Sequence, residues 1–183
     1  MKNALIAIIE YLLGFFALAV FAAYAFAEGA SPSDARMITA FKLGACLAAV
    51  ELFILSRRAK PANRLIVGAN IWLLVGGLAA FFQVWWVLQG YQHFGEASLF
   101  VAILLVGIVS TLALPGGFVA TPGPRRKVLI ASGVLLAAVL AALANAIAFK
   151  GDARLAAVLP VIALSWLNRA LQRFARGTPG VTD

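Results

Sequence analysis

The chain has 183 residues, of which 63% are hydrophobic and only 12% are charged, and its mean hydropathy is +0.98. This composition excludes an ordinary water-soluble globular domain and is typical of a protein embedded in a membrane. The formal net charge of +8 would suggest a nucleic-acid partner in a soluble protein. Here the basic residues fall between apolar segments, so we predict no nucleic-acid partner. The single cysteine, Cys46, excludes a disulfide bond within one chain and a site with several thiolate ligands.

Six apolar stretches follow one another along the chain, each roughly as long as a bilayer crossing requires, about 20 residues. They cover residues 4–27, 37–55, 65–88, 97–120, 128–149 and 154–171. The first ends in a motif at Ala25 to Ala27 that fits a signal-peptidase site, but its apolar region of about 24 residues is longer than the apolar core of a usual signal peptide, so we expect it to be retained. The sequence therefore predicts an all-α polytopic integral membrane protein. It has six transmembrane helices in a single transmembrane domain, residues 1–183.

The basic residues predict the orientation, because cytoplasmic loops retain positive charge during insertion. One side of the membrane receives Lys2, Arg57, Arg58, Lys60, Arg64, Arg125, Arg126, Lys127, Arg169, Arg173 and Arg176, and the other receives Arg36, Lys42, Lys150 and Arg154. We therefore predict that both termini are cytoplasmic.

Two carboxylates lie inside the predicted spans. Glu10 is about 10 Å along the first helix at 1.5 Å per residue, and Glu51, six residues before Arg57, lies about 9 Å from the same inner surface. Asn70 reaches that layer from the third helix. A bare carboxylate in hydrocarbon is costly, so each is expected to be protonated, paired or hydrated. We predict Glu10 and Glu51 as ligands for a proton or a cation, with Asn70 as an orienting neighbour.

Small residues share a helical face with each glutamate. Ala7, Gly14 and Ala17 lie on the face of Glu10, and Ala40, Gly44 and Ala48 lie on the face of Glu51. In lipid such stripes mark close contact between helices, so we expect both glutamates to face the bundle interior. The alternative is that neutral glutamates only hydrogen-bond between helices, with Tyr11 or Asn70 as a partner.

The fourth predicted span contains a candidate irregular helix. Pro115 removes a backbone hydrogen bond, and Gly116 and Gly117 relax the chain after it. Broken helices build solute and ion sites in transporters, where Ser110 and Thr111 would add ligands. The alternative is a helix that frays before its basic turn, with its hydroxyl groups bonded to its own backbone.

A second polar layer is predicted toward the outer side. It comprises Lys42, Gln83 and Asn145. If they converge, they form a polar outer vestibule. The alternative is that Lys42 extends to the outer lipid headgroups.

The sequence predicts no metal site and no cofactor. His93 and Glu96 share an outer loop, but two ligands are too few for zinc. Arg169, Arg173 and Arg176 follow one another at helical spacing and are interpreted as an anchor on anionic headgroups.

The patterns of a nucleophile with its base, a metal set and a phosphate-binding loop are missing from this sequence, so we predict no enzymatic activity. Two functions remain. The first is transport of a small solute, an ion or a lipid by the buried carboxylates. The second is a non-catalytic membrane subunit, or a lipid-interacting assembly protein, working with a partner chain. Membrane lipids are expected partners, with a small solute or proton, a second copy or another membrane subunit as further candidates. The Ala-, Gly- and Leu-rich composition favours the bacterial inner membrane.

Overall fold

The computed structural model describes residues 15–27, 29, 33–58 and 61–176 of the chain. Within them the elements are α1 (Phe16–Ala25), α2 (Asp34–Ser56), α3 (Arg64–Phe81), α4 (Trp85–Phe94), α5 (Ala97–Ala113), α6 (Arg125–Ala148), a π-helical turn (Arg154–Val158) and α7 (Leu159–Arg176). No strand occurs among these residues. The prediction of an all-α protein is confirmed.

Within the described part of the chain, four helices are long and apolar enough to cross a membrane. They are Asp34–Ser56, Arg64–Phe81, Arg125–Ala148 and Arg154–Arg176, and the number rises to five if the consecutive helices Trp85–Phe94 and Ala97–Ala113 together make one span. Residues 4–14 of the first predicted span lie outside the described residues, and its described part contains α1, a short apolar helix of 10 residues. The structure therefore supports a multi-pass membrane protein with four or five candidate spans, and the count of six stays a prediction.

The third predicted span, residues 65–88, is interrupted in the structure. Helix α3 ends at Phe81, Gln83 adopts a left-handed backbone with φ 56°, and α4 begins at Trp85. The Val84 N–H bonds to the Ala79 carbonyl across the break. An uninterrupted apolar run does not reveal this turn, because it depends on contacts that α4 makes elsewhere.

The fourth predicted span, residues 97–120, ends early. Helix α5 stops at Ala113, and Leu114 is extended with φ −114° and ψ 140°. A residue before proline disfavours the helical region, so Pro115 accounts for the stop. Residues 115–120 form turns.

The chain divides into two compact units. Unit 1 contains Met1–Ala59 and Ala69–Gly95, and unit 2 contains Lys60–Gly68 and Glu96–Asp183. Helix α3 contributes its first turn to unit 2 and the rest of its length to unit 1.

An aromatic cluster forms the core of unit 1. Its members are Phe21 of α1, Phe41 of α2, Trp72 of α3 and Tyr91 of α4, one from each helix. The Phe21 and Trp72 rings meet edge to face at 5.1 Å between centroids, and the Phe41 and Tyr91 rings stack at 5.2 Å. The Tyr91 hydroxyl also donates to the Trp72 carbonyl at 3.3 Å. These contacts account for the position of α4 after the turn at Gln83, since aromatic pairs add to the free energy of burial.

Small residues bring α2 and α3 close together inside unit 1. Ala40, Gly44 and Ala48 of α2 are buried, on the face that carries Glu51. On α3, a Cβ atom added at Gly77 would overlap the Ala45 side chain. Only a residue without a side chain fits there, as expected where backbones approach in an apolar medium.

The core of unit 2 is aliphatic and aromatic. Phe100 and Ile103 of α5, Phe118 of the following turns, and Leu135 and Val139 of α6 are almost fully buried. The contacts of α6 with α7 and with the π-helical turn complete this unit.

Candidate functional site

Glu51 is the acidic side chain of unit 1 around which the candidate site is built. It lies on α2, five residues before the helix ends at Ser56, and it is half-buried. Its Oε1 accepts a hydrogen bond from the Ala17 backbone N–H at 2.8 Å, and its Oε2 accepts one from the Asn70 Nδ2 at 2.9 Å. A carboxylate that accepts on both oxygens has the hydrogen bonding of an ionised group.

The Ala17 N–H belongs to the first turn of α1. This helix begins at Phe16, with Phe15 in the capping position and no side-chain cap of its own. The first N–H groups of a helix lack partners within it and carry partial positive charge. The Glu51 carboxylate supplies both an acceptor and a negative charge at this point, so it ties α2 to the start of α1.

Asn70 lies on α3 and is 1% exposed. Its Nδ2 donates to Glu51, while its Oδ1 is buried and has no hydrogen-bond partner among the residues that the structure describes. A buried polar atom without a partner carries an energetic cost of about 1–3 kcal/mol. The same side chain therefore orients the carboxylate and presents an unsatisfied acceptor.

The structure brings together two of the predicted site residues, Glu51 and Asn70. The other predicted carboxylate, Glu10, and its neighbour Tyr11 lie outside the described residues. The Ala17 N–H was not predicted from the sequence as a ligand, because a sequence shows side chains and not free backbone donors.

The predicted irregular helix lies in unit 2, where Arg125 covers it. The Arg125 Nη1 donates to the Leu114 carbonyl at 2.8 Å and to the Pro115 carbonyl at 3.3 Å, and its Nη2 donates to the Thr111 carbonyl at 3.1 Å. The Thr111 carbonyl is one of those that a helix leaves unpaired in its last turn, and the other two carbonyls follow the end of α5. The Arg125 guanidinium group thus occupies the carbonyl oxygens that a broken helix could otherwise offer to a solute or an ion.

The hydroxyl groups near this break also bond to backbone. The Thr111 Oγ1 donates to the Gly107 carbonyl at 2.7 Å, within α5, as in the alternative interpretation. Ser110 is buried on the same helix. Beyond the break, Gly117 is left-handed with φ +57°, and a Cβ there would crowd the Ser132 hydroxyl, whereas Gly116 has a negative φ. The Ser132 Oγ accepts from the Phe118 N–H at 3.0 Å, which fixes the turn.

Of the three predicted outer polar residues, two belong to unit 1 and one belongs to unit 2. Lys42 Nζ lies 5.4 Å from the centroid of the Phe81 ring, and Gln83 is exposed at the turn between α3 and α4; both belong to unit 1. Asn145 belongs to unit 2, where its Nδ2 donates to the Leu155 carbonyl at 2.7 Å. Leu155 lies in the π-helical turn, and its partner five residues on would be Pro160, which has no N–H. Asn145 therefore satisfies a carbonyl that proline leaves unpaired.

The sequence analysis missed a second buried amide, in unit 2. Asn168 of α7 is 1% exposed, and its Nδ2 donates to the Asn63 Oδ1 at 3.2 Å. Its own Oδ1 has no partner within the described residues. The Asn63 Oδ1 also accepts from the Leu65 N–H at 3.1 Å at the start of α3. The signal in the sequence was a lone amide within an amphipathic helical pattern, which the three neighbouring arginines obscured.

Comparison with known proteins gives no assignment. No protein family, no curated protein and no solved structure matches the chain.

Proposed function

We propose that this chain is a multi-pass transporter of the bacterial inner membrane that moves a small solute or ion, with Glu51 as the group that binds a proton or a cation. One observation carries the proposal. A half-buried carboxylate accepts hydrogen bonds from Ala17 and Asn70, and the buried Asn70 Oδ1 beside it has no partner in the described part of the chain. Ionisable groups inside membrane spans are costly and mark ion and proton pathways.

The Asn70 amide supports binding in two arrangements. With Glu51 ionised, the Nδ2 donates to the carboxylate. When a proton binds, the carboxyl group gains a hydroxyl donor and needs an acceptor, and rotation of the amide by half a turn presents the Oδ1. The same rotation would add an amide oxygen to the carboxylate as a ligand for a hard cation.

The hydrogen bond to Ala17 links this site to a whole helix. Loss of the negative charge on Glu51 weakens the interaction with the positive end of α1. Binding a proton or cation therefore favours a different position of the start of α1 relative to α2. A ligand shifts a conformational equilibrium only through such a difference in interaction between the two states.

The orientation in this proposal follows the charge count. Arg57 and Arg58 follow Glu51 by six and seven residues, so the carboxylate lies toward the cytoplasmic side and both termini are cytoplasmic. The turn at Pro115 to Gly117 takes no ligand in this scheme, since Arg125 satisfies its carbonyls. Glu10 stays a proposed second carboxylate.

The experiment is cation flux into proteoliposomes. Vesicles containing the protein and an entrapped pH-sensitive dye are given a membrane potential, and proton entry is followed for the native chain and for Glu51→Gln. We expect protein-dependent entry that falls at least ten-fold in Glu51→Gln. Sodium and potassium gradients, with matching entrapped indicators, test the cation alternative.

Glu96→Gln is the matched control. Glu96 is a carboxylate that bonds to the Gly151 N–H within unit 2, so its loss removes the same charge at a different site. We expect its flux to equal that of the native chain. Flux no greater than in protein-free vesicles for all three ions, or an unchanged flux in Glu51→Gln, overturns the proposal.

A second candidate is a membrane subunit that transports nothing and works with a partner chain. It is favoured by the bonding of Arg125 to the α5 carbonyls, which accounts for the broken helix without a ligand. In this case Glu51 holds α1 against α2 as a structural contact. Native flux equal to that of protein-free vesicles, together with destabilisation in Glu51→Ala, would favour this role.

A further inference from the structure

The charges of unit 2 are segregated along its helices. In the described part of this unit, residues 61–68 and 96–176, the acidic residues are Glu96 and Asp152. Asp152 follows the C-terminal end of α6, and Glu96 accepts from the neighbouring Gly151 N–H. Lys150 and Arg154 lie in this same region, so its formal charges balance.

The other end of α6 is strongly basic. It carries Arg125, Arg126 and Lys127 in its first turn, and α7 brings Arg169, Arg173 and Arg176. We call these six residues the basic end of unit 2. Since α6 has 24 residues at 1.5 Å each, about 36 Å separate this end from Asp152. That exceeds the screening length of charges in physiological salt, about 8 Å, so Glu96 and Asp152 do not neutralise it.

Contacts between the loop before α6 and the end of α7 bring the two basic groups together. The Arg176 Nε donates to the Thr121 Oγ1 at 2.9 Å, and the Gln172 Nε2 donates to the Val119 carbonyl at 2.9 Å. A Cβ atom added at Gly123 would overlap the Ala175 carbonyl oxygen, so these two segments of the chain are in close contact. The basic end is thus one surface formed by two elements.

Arg125 and Arg176 each serve the fold. Arg125 covers the carbonyls of α5, and Arg176 bonds to Thr121. Arg126, Lys127 and Arg173 are exposed. They therefore present positive charge outward, on a surface that lies far from Glu96 and Asp152.

The position of the basic end along the helices of unit 2 indicates which part of the membrane it contacts. It lies at the ends of two helical segments, Arg125–Ala148 and Arg154–Arg176, that are long and apolar enough to cross a membrane. The ends of such helices lie in the headgroup region. Phe174 and Trp166, beside the arginines of α7, are 52% and 74% exposed, as aromatic residues at this depth are.

We propose that the basic end of unit 2 binds the phosphate of anionic phospholipid headgroups. Arginine and lysine near an anionic leaflet attract it electrostatically, and guanidinium groups match the geometry of phosphate. The site is independent of Glu51. It selects anionic over zwitterionic lipid around this end of the protein.

The test counts lipids that stay bound. The full chain is reconstituted into nanodiscs of phosphatidylcholine with a minority of phosphatidylglycerol, released gently, and examined by native mass spectrometry for the native chain and for the double variant R126Q/K127Q. We expect the native chain to retain phosphatidylglycerol in excess of its share. The excess should fall about five-fold for each charge removed, and so roughly twenty-five-fold in the double variant.

The matched control is K150Q/R154Q, which removes two positive charges from the opposite end. We expect it to keep the preference for phosphatidylglycerol, because Glu96 and Asp152 already balance that end. An unchanged preference in R126Q/K127Q overturns the proposal. An equal loss in both variants also overturns it, since it would reflect net charge and not this surface. Because the substituted side chains are exposed, the unfolding midpoint of each variant should match that of the native chain.

Discussion

The two units use polar side chains in different ways. In unit 2, Arg125, Ser132 and Asn145 each bond to a backbone group where a helix stops, turns or bulges. In unit 1, one oxygen of Glu51 also accepts from a backbone N–H, that of Ala17, but the other bonds to a side chain, Asn70, whose Oδ1 has no partner among the described residues. Irregular backbone in a membrane is tolerated where side chains satisfy it. Hydrogen bonds from side chains to irregular backbone therefore account for the polar residues at the breaks in unit 2. They do not account for the pairing of Glu51 with Asn70.

The difference shows where a broken helix is informative about function. Pro115 and Pro160 both interrupt helices of unit 2, and in each case a side chain of the same unit bonds to the carbonyl that the proline leaves without its N–H partner, Thr111 or Leu155. A proline inside a span thus indicates a binding site only when the freed carbonyls lack such a donor. Unit 2 also contains a buried amide, Asn168, whose oxygen has no partner among the described residues, but its Nδ2 donates to the amide of Asn63 and not to a carboxylate.

The largest expected effect tests the close packing of unit 1. Gly77→Ala places a Cβ atom against Ala45, so we expect it to lower the free energy of unfolding by about 3 kcal/mol, the upper end for overpacking. The midpoint of unfolding in sodium dodecyl sulfate, followed by circular dichroism, measures this change. The control is Gly133→Ala, where nothing lies within 4 Å, and it should be neutral or stabilising by up to about 1 kcal/mol. Equal effects at the two glycines would contradict close contact at Gly77.

The next effect tests the polar support of unit 2. Ser132→Ala leaves the buried Phe118 N–H without its acceptor, so we expect a loss of about 2 kcal/mol in the same unfolding measurement. Ser56→Ala is the control, because the Ser56 hydroxyl is exposed and donates to the Phe53 carbonyl of its own helix. It should change stability by less than about 0.5 kcal/mol. A Ser132 variant as stable as native would show that the turn needs no side-chain acceptor.

A smaller effect tests whether Asn145 compensates for Pro160. Asn145→Ala removes the donor to the Leu155 carbonyl and should cost about 1 kcal/mol. Pro160→Ala restores an N–H in the same helix, so the double variant should lose less than the sum of the two single changes. Additive effects in this cycle would mean that the two residues act independently.

The smallest effect separates function from stability at Glu51. In Glu51→Gln, the amide oxygen still accepts from Ala17, and the amide nitrogen can donate to the Asn70 Oδ1 after that side chain rotates. We therefore expect stability within about 0.5 kcal/mol of native, a typical limit for well-tolerated changes, in the unfolding measurement. The double variant with Asn70→Leu removes the compensating oxygen and should be clearly less stable. A large loss in Glu51→Gln alone would indicate that the carboxylate is chiefly structural.

The helical secondary structure and the membrane location could be predicted from the sequence because both depend on composition averaged over long windows. A run of about 20 apolar residues, such as 128–149, is long enough to be recognised as a candidate span. The turn at Gln83 could not be predicted, since the run contains no glycine or proline at that point and the turn depends on Tyr91 packing against Phe41 and Trp72. The stop at Ala113 was within reach, because Pro115 is visible in the sequence.

Part of the candidate site was also accessible from the sequence. Counting residues from Arg57 and Arg64 placed Glu51 and Asn70 at one depth, and the structure joins them by a hydrogen bond of 2.9 Å. The Ala17 donor was not accessible, because it depends on where α1 begins. The role of Arg125 was also not predicted, because its charge was assigned to the membrane surface. Its guanidinium group in addition donates to the Leu114 carbonyl at the end of α5.

The aromatic cluster of unit 1 gives the protein an internal optical reporter. Of its four tryptophans, Trp72 is 6% exposed within that cluster, while Trp85, Trp86 and Trp166 are 55%, 76% and 74% exposed. Brominated acyl chains quench the fluorescence of indole rings that touch lipid. The emission that survives in brominated vesicles should therefore come from Trp72, and it reports on the ring contacts that join α1, α2, α3 and α4.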